Sequence, residues 1–253
     1  MKRLPFEYAV RNLGRSPLRL VLSVGGSMLV VLLVLAAAGF IEGMRTSMRV
    51  SGHPDNTILL GTGSEESVER SEVPVRAAGI VAASVRGIRA QAGVIAVSPE
   101  VHLAMPVQPD PVNPESREQL AVIRGVEPEA LMVHQDVNLL SGRYPESGRN
   151  ELAVGRLAAI GFGFDPPETM LGLDIVLDDD PYQVVGILGA EGGVIEGEFW
   201  TALTDLQVTA QRDSLSCVVI RRSTAGPSDL QAFAAQRLDL ELTALEELEY
   251  YAA

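Results

Sequence analysis

Cysteine and lysine are almost missing from this sequence of 253 residues, which contains one of each, Cys217 and Lys2. A single cysteine forms no disulfide within the chain and cannot supply a thiolate cage for a metal ion. With one lysine, the chain has no candidate for a phosphate-binding loop beyond its extreme N-terminus, which excludes ATP hydrolysis by this chain. The sequence therefore predicts a domain that a packed core stabilises, with no disulfide, no metal and no cofactor.

Positive charge is also scarce, because 20 basic residues stand against 33 acidic ones and give a net charge of −13. An acidic surface repels phosphate, so nucleic acid is not expected as a partner. The charge is divided unevenly. Residues 1–49 contain seven basic and two acidic side chains, a net of +5, which leaves −18 for residues 50–253. Two physically different regions share the chain.

The first region contains an uncharged stretch, residues 20–41. In an α-helix these residues extend about 33 Å, against a hydrocarbon core of about 30 Å, which predicts a transmembrane helix over residues 17–45. Ser16 suits the N-cap, and Pro17 suits the first helical position. Five basic residues precede the uncharged stretch. The positive-inside rule therefore predicts a cytoplasmic N-terminus and an extracytoplasmic acidic region.

A cleaved signal peptide is the alternative for this stretch, because the alanines at 36–38 resemble a cleavage site. The stretch is longer than the roughly 7–15 apolar residues of a signal sequence. The helical pattern also continues through residues 42–45, so we expect the helix to be retained. Ahead of it, one helical face collects Phe6, Ala9, Val10 and Leu13, which predicts a short cytoplasmic helix over residues 1–16 that lies in the membrane interface and contacts lipid.

Small residues mark one part of the predicted transmembrane helix. Ser23 and Ser27 are four positions apart and flank Gly25 and Gly26. Such a face allows close approach of a second membrane helix. Plain helix flexibility or lipid contact is the alternative interpretation.

The second region alternates between strand and helix patterns. Residues 57–60 predict a strand, 75–92 an amphipathic helix, and 101–107 and 120–123 two strands separated by a Pro-rich loop at 109–114. Residues 215–220 predict a further strand, Ser228 the cap of a helix, and 238–242 a final strand. These β-α-β patterns predict an α+β fold, with a split ferredoxin-like lobe over residues 46–125 and 214–245.

The residues between these two parts, 126–213, predict an inserted strand-rich lobe. Within it, the run of aspartates at 178–180 separates two apolar stretches, as expected for a hairpin. A calcium loop is the alternative for this run, but the glycine and the distal glutamate of an EF-hand are missing. The glycine-rich pieces at 161–163 and 189–193 are interpreted as turns.

Candidate catalytic and metal-binding residues do not form recognisable motifs. His53, His102 and His134 are far apart, without cysteine or carboxylate at metal-ligand spacing, so solvated or capping roles are expected. Cys217 lies in an apolar strand and is expected to be a small core residue. The pairs Glu196/Glu198 and Glu246/Glu247 are expected on a solvated face. The sequence therefore predicts no catalytic, cofactor-binding or metal-binding residues.

Several short motifs together carry a resemblance to ABC transporter permeases of the MacB/FtsX type. Residues 6–13 (FEYAVRNL) and 15–19 (RSPLR), which lead into the membrane helix, resemble the start of these permeases. Later motifs resemble their extracytoplasmic core: 123–128 (IRGVEP), 141–143 (SGR), 148–155 (GRNELAVG), 171–175 (LGLDI), 182–187 (YQVVGI), 198–200 (EFW) and 205–207 (DLQ). Their order and spacing cover essentially the whole chain.

The resemblance implies a non-enzymatic permease subunit whose extracytoplasmic domain relays ATPase-driven motion to a substrate or a partner protein. It also implies a location in the bacterial inner membrane, with a cytoplasmic ABC ATPase subunit and a second permease subunit or homodimer as partners. The family continues into three further membrane helices, so residues 246–253 are expected to lead toward a second one, in a fragment or a naturally short subunit. A single-pass extracytoplasmic scaffold is the alternative function, and an extracytoplasmic enzyme without a recognised motif is a third.

Overall fold

The computed structural model describes residues 17–109 and 117–252. The predicted interfacial helix over residues 1–16 and most of the predicted loop at 109–114 lie outside these residues. The chain forms two compact units that divide between Thr46 and Ser47.

Helix α1 (Pro17–Ser51) supplies the first unit and ends within the second. It is long and apolar enough to cross a membrane between Pro17 and Thr46, and most of its described large apolar side chains are exposed. The helix continues through residues 42–45, as the sequence predicts. A backbone whose hydrogen bonds are all internal is what a lipid environment requires.

The second unit is a mixed domain of short helices and strands. Its described strands are β1 (Asn56–Gly61), β2 (Val73–Pro74), β3 (Ala90–Gln91), β4 (Val94–Ile95), β5 (Val97–Gln108), β6 (Gln119–Val126), β7 (Asn138–Gly142), β8 (Glu151–Gly155), β9 (Asp174–Leu177), β10 (Asp180–Gly189), β11 (Glu198–Ala202), β12 (Ser214–Leu215), β13 (Cys217–Arg221) and β14 (Leu242–Glu246). Its described α-helices after α1 are α2 (Arg76–Ser84), α3 (Ala130–Val133), α4 (Arg156–Gly161), α5 (Leu203–Thr209), α6 (Pro227–Gln236) and α7 (Glu247–Ala252).

One large sheet runs through the domain in the order β14-β1-β13-β5-β6-β11-β8-β10-β7, and β9 pairs with both β10 and β5. The pairs from β14 to β6 are antiparallel, whereas β6 with β11 and β8 with β10 are parallel. This mixture of helices and strands confirms the predicted α+β class. The division into a split ferredoxin-like lobe and an inserted lobe stays a prediction, because strands from both predicted lobes belong to one continuous sheet.

The two faces of this sheet differ in chemistry. One face packs the main apolar core against helices α2, α4, α5 and α6, with Val81, Leu206 and Phe233 among the residues buried there. The other face contacts the short helices α3 and α7 through Val133 and Tyr250. Its centre carries charged side chains of β5, β6 and β11, since every second residue of a strand faces the same side of a sheet.

Several predicted strands are present. The strands predicted over 57–60, 101–107 and 120–123 correspond to β1, β5 and β6. The hairpin at the run of aspartates is also confirmed, since β9 and β10 flank it and pair antiparallel. Asp178 and Asp179 have φ values of 49° and 71°, the left-handed conformation that a tight hairpin requires.

The helix predicted over residues 75–92 is shorter than expected, since α2 ends at Ser84. Val85 is extended, and Gly87 forms a turn with a φ of 84°. The carbonyl oxygen of Gly87 accepts hydrogen bonds from the backbone N–H groups of Thr224 and Ala225. Apolar periodicity alone did not reveal this turn, because the side chains on either side of it keep a helical spacing.

Three predictions near the end of the chain are corrected. The N-cap of α6 is Gly226, whose backbone N–H donates to the Asp229 carboxylate at 2.8 Å, so Ser228 lies inside the first turn. The last strand begins at Leu242, because the chain around Leu238 turns and leaves that side chain exposed. The strand predicted over 215–220 is divided between β12 and β13 at Ser216.

Candidate functional site

Five charged or titratable side chains meet at the centre of the second sheet face. Strand β5 contributes Glu100 and His102, β6 contributes Arg124, and β11 contributes Glu198; His134 follows helix α3. We call these five residues the charged cluster. The sheet register brings them together, since His102 is paired with Arg124, and Val122, two residues before Arg124, is paired with Glu198. All five are nearly inaccessible to solvent.

Arg124 is the central cation of the charged cluster. Its Nε and Nη2 atoms donate to the two carboxylate oxygens of Glu198, each at 2.7 Å. Its Nη1 atom donates to Glu100 Oε2 at 3.0 Å. The indole of Trp200 donates to Glu198 at 3.2 Å, and its ring centroid lies 5.6 Å from the guanidinium carbon. Two-point binding and a neighbouring aromatic ring are the geometry that favours arginine over lysine.

Glu100 is the central anion and binds both buried histidines. His102 Nε2 lies 2.9 Å from Glu100 Oε2, and His134 Nε2 lies 2.7 Å from Glu100 Oε1. The solvated role expected for these two histidines is therefore wrong, whereas His134 is the C-cap residue of α3. They are 32 residues apart in the sequence and still share one carboxylate, because α3 packs on the face that β5 presents.

The pKa values of the charged cluster follow from burial and from these partners. Burial opposes ionisation of Glu100, but the charges of His134 and Arg124 prevail and hold its pKa well below the ordinary value. Burial likewise opposes ionisation of Glu198, and Arg124 lowers its pKa below the usual range. Burial lowers the pKa of His102, whereas Glu100 raises that of His134 despite burial. Each buried charge has an opposite charge within hydrogen-bond distance, which offsets the cost of removing it from water.

A second group of contacts joins the start of the domain to the end of the described chain. One carboxylate oxygen of Glu247 accepts hydrogen bonds from the backbone N–H of His53 and the side chain of Asn56, both at 2.8 Å. Further along α7, the Tyr250 hydroxyl accepts from the backbone N–H of Val68 at 3.1 Å. We call the association of residues 51–56 with α7 the terminal clamp.

The terminal clamp lies next to the charged cluster and approaches it at two places. Asn56 donates to the Val133 carbonyl oxygen at 3.2 Å, next to His134. Tyr251, in α7, interacts with Arg124 through its hydroxyl, and burial raises its pKa. A cavity of about 180 Å³ lies between them, and its lining includes Glu100, Cys217 and Tyr251.

The predicted carboxylate pairs are placed differently from the expectation of a solvated face. Glu196 is buried and binds Arg156 at 3.0 Å, Glu198 belongs to the charged cluster, and Glu247 is buried in the terminal clamp. Glu246 is partly exposed, with Arg222 at 4.0 Å. Buried carboxylates with nearby cations or hydrogen-bond donors cannot be distinguished from solvated ones by composition.

The two other candidate residues agree with parts of their predictions. Cys217 is fully buried, as predicted for a core residue, but its sulfur lies 3.8 Å from His102 Nε2, a neighbour that the sequence did not reveal. His53 is partly exposed, and its Nε2 lies 3.0 Å from Arg221.

The family model described as the MacB-like periplasmic core domain matches residues 20–238. The chain belongs to this family. The predicted resemblance is therefore confirmed, and the matched residues include most of helix α1 and of the domain described above. The family groups the chain with components of ABC-type transporter permeases, and together with α1 it indicates a membrane-anchored protein.

Solved structures show the same fold at low sequence identity. The periplasmic region of MacB from Actinobacillus actinomycetemcomitans is similar, with a TM-score of 0.58 and 12% identity over 79% of this chain and 92% of that one. The extracellular domain of the ABC-type transporter YknZ from Gram-positive bacteria has a TM-score of 0.53 and 14% identity over 75% and 99%. The search of curated proteins gave no match.

Proposed function

We propose that this chain is a membrane-anchored permease subunit, or part of one, in an ABC transporter of the MacB/FtsX type. Its extracytoplasmic domain relays motion driven by a cytoplasmic ATPase to a substrate or a partner protein. The observation that carries this proposal is the family match, which starts inside the apolar helix and continues through the domain. We further propose a cytoplasmic N-terminus in the bacterial inner membrane, because the basic residues precede the apolar stretch and the acidic ones follow it.

The terminal clamp supplies a physical route for the relay. Helix α1 ends at Ser51, and Glu247 binds the residues that follow it. In permeases of this type, the segment after the domain enters a second membrane helix. A displacement of α1 or of that second helix would therefore act on the same hydrogen bonds, those of the terminal clamp. Tyr251 of α7 contacts Arg124 of the charged cluster. The charged cluster would hold α7 in a fixed position, since directional hydrogen bonds orient each of its charges.

This role requires no catalytic residue in the domain. We propose as partners membrane lipid, a cytoplasmic ABC ATPase subunit, a second permease subunit or a second copy of this chain, and an extracytoplasmic substrate or protein. Ser23, Gly26 and Ser27 offer a small-residue face for packing between membrane helices.

Isolation of the complex tests the proposal. From membranes of cells that express the chain with its neighbouring genes, gentle solubilisation should recover an ABC ATPase and a second permease chain together with it. A Gly26→Leu substitution should reduce recovery of the second chain severalfold, because the added side chain prevents close helix packing. Gly39→Leu is the matched control, since an added Cβ meets no other atom at either position in the described structure.

The outcome that would contradict the proposal is equally specific. A chain that is recovered without any ATPase, in the same amount for both substitutions and with an extracytoplasmic partner, would identify a single-pass scaffold instead. A reporter fused after residue 253 should be active only outside the cytoplasm, and activity inside would overturn the proposed orientation.

A further inference from the structure

Three potential metal ligands of different chemistry lie together on adjacent strands. Glu100 and His102 are two residues apart on β5, and Cys217 is paired with Glu100 on β13. A carboxylate oxygen, a ring nitrogen and the sulfur of these residues all lie within 4.8 Å of one another. All three side chains are buried, so their mutual approach is fixed by the sheet.

The distances suit a small ion with tetrahedral coordination. An ion that binds nitrogen at about 2.1 Å and sulfur at about 2.3 Å holds these two atoms about 3.6 Å apart. The distance from Cys217 Sγ to His102 Nε2 is 3.8 Å, and that from His102 Nε2 to Glu100 Oε2 is 2.9 Å. To reach tetrahedral values, the nitrogen–sulfur separation must shorten by about 0.2 Å and the nitrogen–oxygen separation must lengthen by about 0.5 Å. Thiolate, imidazole and carboxylate together are ligands typical of zinc.

We propose that Glu100, His102 and Cys217 bind one Zn²⁺ ion, with its fourth position facing the cavity over the charged cluster. These three residues line that cavity of about 180 Å³, which leaves space for a water ligand. A site with three protein ligands and one open position is common for this metal.

The charges of the surroundings can accommodate the ion. Binding replaces the hydrogen bond between His102 and Glu100, moves the ring proton of His102 to Nδ1, and releases the proton of the Cys217 thiol to water. When the ion also displaces the proton of His134 to water, its two charges and that of Arg124 equal those of the thiolate, Glu100 and Glu198. Before binding, burial keeps the pKa of the Cys217 thiol well above its ordinary value.

Two neighbouring groups would support the site. His134 holds the other oxygen of Glu100 at 2.7 Å, which orients the carboxylate in the way that outer partners of metal ligands usually do. Glu198 binds Arg124 through two hydrogen bonds and so compensates the cation nearest to the ion.

Cobalt binding tests the proposal directly. The full chain, purified in detergent without a histidine tag and treated with a chelator, should bind one Co²⁺ per molecule and develop a thiolate-to-cobalt charge-transfer band. Because Cys217 is the sole cysteine, such a band can come from no other residue. Zn²⁺ should then displace Co²⁺ and abolish the band.

Two variants complete the experiment. Cys217→Ala should abolish the band and weaken Co²⁺ binding more than about 100-fold. Ser98→Ala should change neither, since this buried hydroxyl is on a neighbouring position of β5 and has no hydrogen-bond partner in the described structure. Absence of the band in the folded wild-type chain at saturating Co²⁺ would overturn the proposal, as would unchanged affinity in a folded Cys217→Ala variant.

Discussion

Replacing Arg124 with methionine is expected to lower the free energy of unfolding by about 3–5 kcal/mol. The substitution leaves Glu198 and Glu100 buried without the cation that binds both of them. Methionine has a similar length and no charge, so the loss reports the missing charge more than a cavity. The unfolding of the chelator-treated chain can be followed in urea through the fluorescence of Trp200, its only tryptophan, which lies beside the charged cluster.

Two further variants separate this effect from a general sensitivity to arginine loss. Arg149→Met removes a side chain that is 61% exposed and pairs with Glu146 on the surface, so it should cost less than about 1 kcal/mol. The double variant Arg124→Met/Glu198→Gln should be more stable than Arg124→Met alone, because one uncompensated charge is removed with its partner. If Arg124→Met differed from the wild type by less than Arg149→Met does, the charged cluster would not have the energetic role assigned to it.

Acid is expected to destabilise the domain through the same carboxylates. The pKa values of Glu100 and Glu198 are lowered in the folded state, whereas a glutamate in the unfolded chain has a pKa of about 4.3. Their stabilisation is therefore complete above that pH and is lost as the pH falls through the folded pKa values. Each carboxylate contributes a limiting slope of about 1.4 kcal/mol per pH unit to the free energy of unfolding.

The comparison that checks this prediction uses the double variant Arg124→Met/Glu198→Gln. Below pH 4.3 its free energy of unfolding should fall less steeply than that of the wild type, because Glu198 no longer titrates and Glu100 has lost the Arg124 charge that lowers its pKa. Other carboxylates with lowered pKa values, such as Glu151 and Glu196, contribute equally to both proteins. His134 acts in the opposite direction: its pKa is raised, so its contribution is complete below about pH 6.5 and declines at higher pH. Identical slopes for the two proteins in acid would contradict the lowered pKa of Glu198.

The elements that sequence reasoning predicted are those with an uninterrupted local pattern. The apolar stretch in α1, the alternation in β5 and the aspartates between β9 and β10 each determine their structure within a few residues. The predicted end of helix α2 and the predicted start of strand β14 are wrong because turns near Gly87 and Leu238 interrupt the structure, although the spacing of apolar residues continues through them. Those turns depend on contacts with distant parts of the chain, as between Gly87 and Ala225.

The charged cluster could not be assembled from local spacing. Its members lie on β5, β6, β11 and the residue after α3, and they meet only through the order of strands in the sheet. A partial signal was present, since Glu100, His102 and Arg124 interrupt strands that are otherwise largely apolar, and charged residues in such strands are expensive unless paired. The acidic composition concealed it by making carboxylate pairs common throughout the domain.

Hydrogen exchange in the assembled transporter tests the proposed relay most directly. The complex of this chain with its ATPase should be compared without nucleotide and after trapping with ATP and vanadate. The backbone N–H of His53, which donates to Glu247, reports directly on the terminal clamp. We expect exchange in residues 51–56 and 247–252 to change severalfold on trapping, while the buried strand β8 stays unchanged. Identical exchange in the terminal clamp in both states, in a complex that hydrolyses ATP, would contradict the relay.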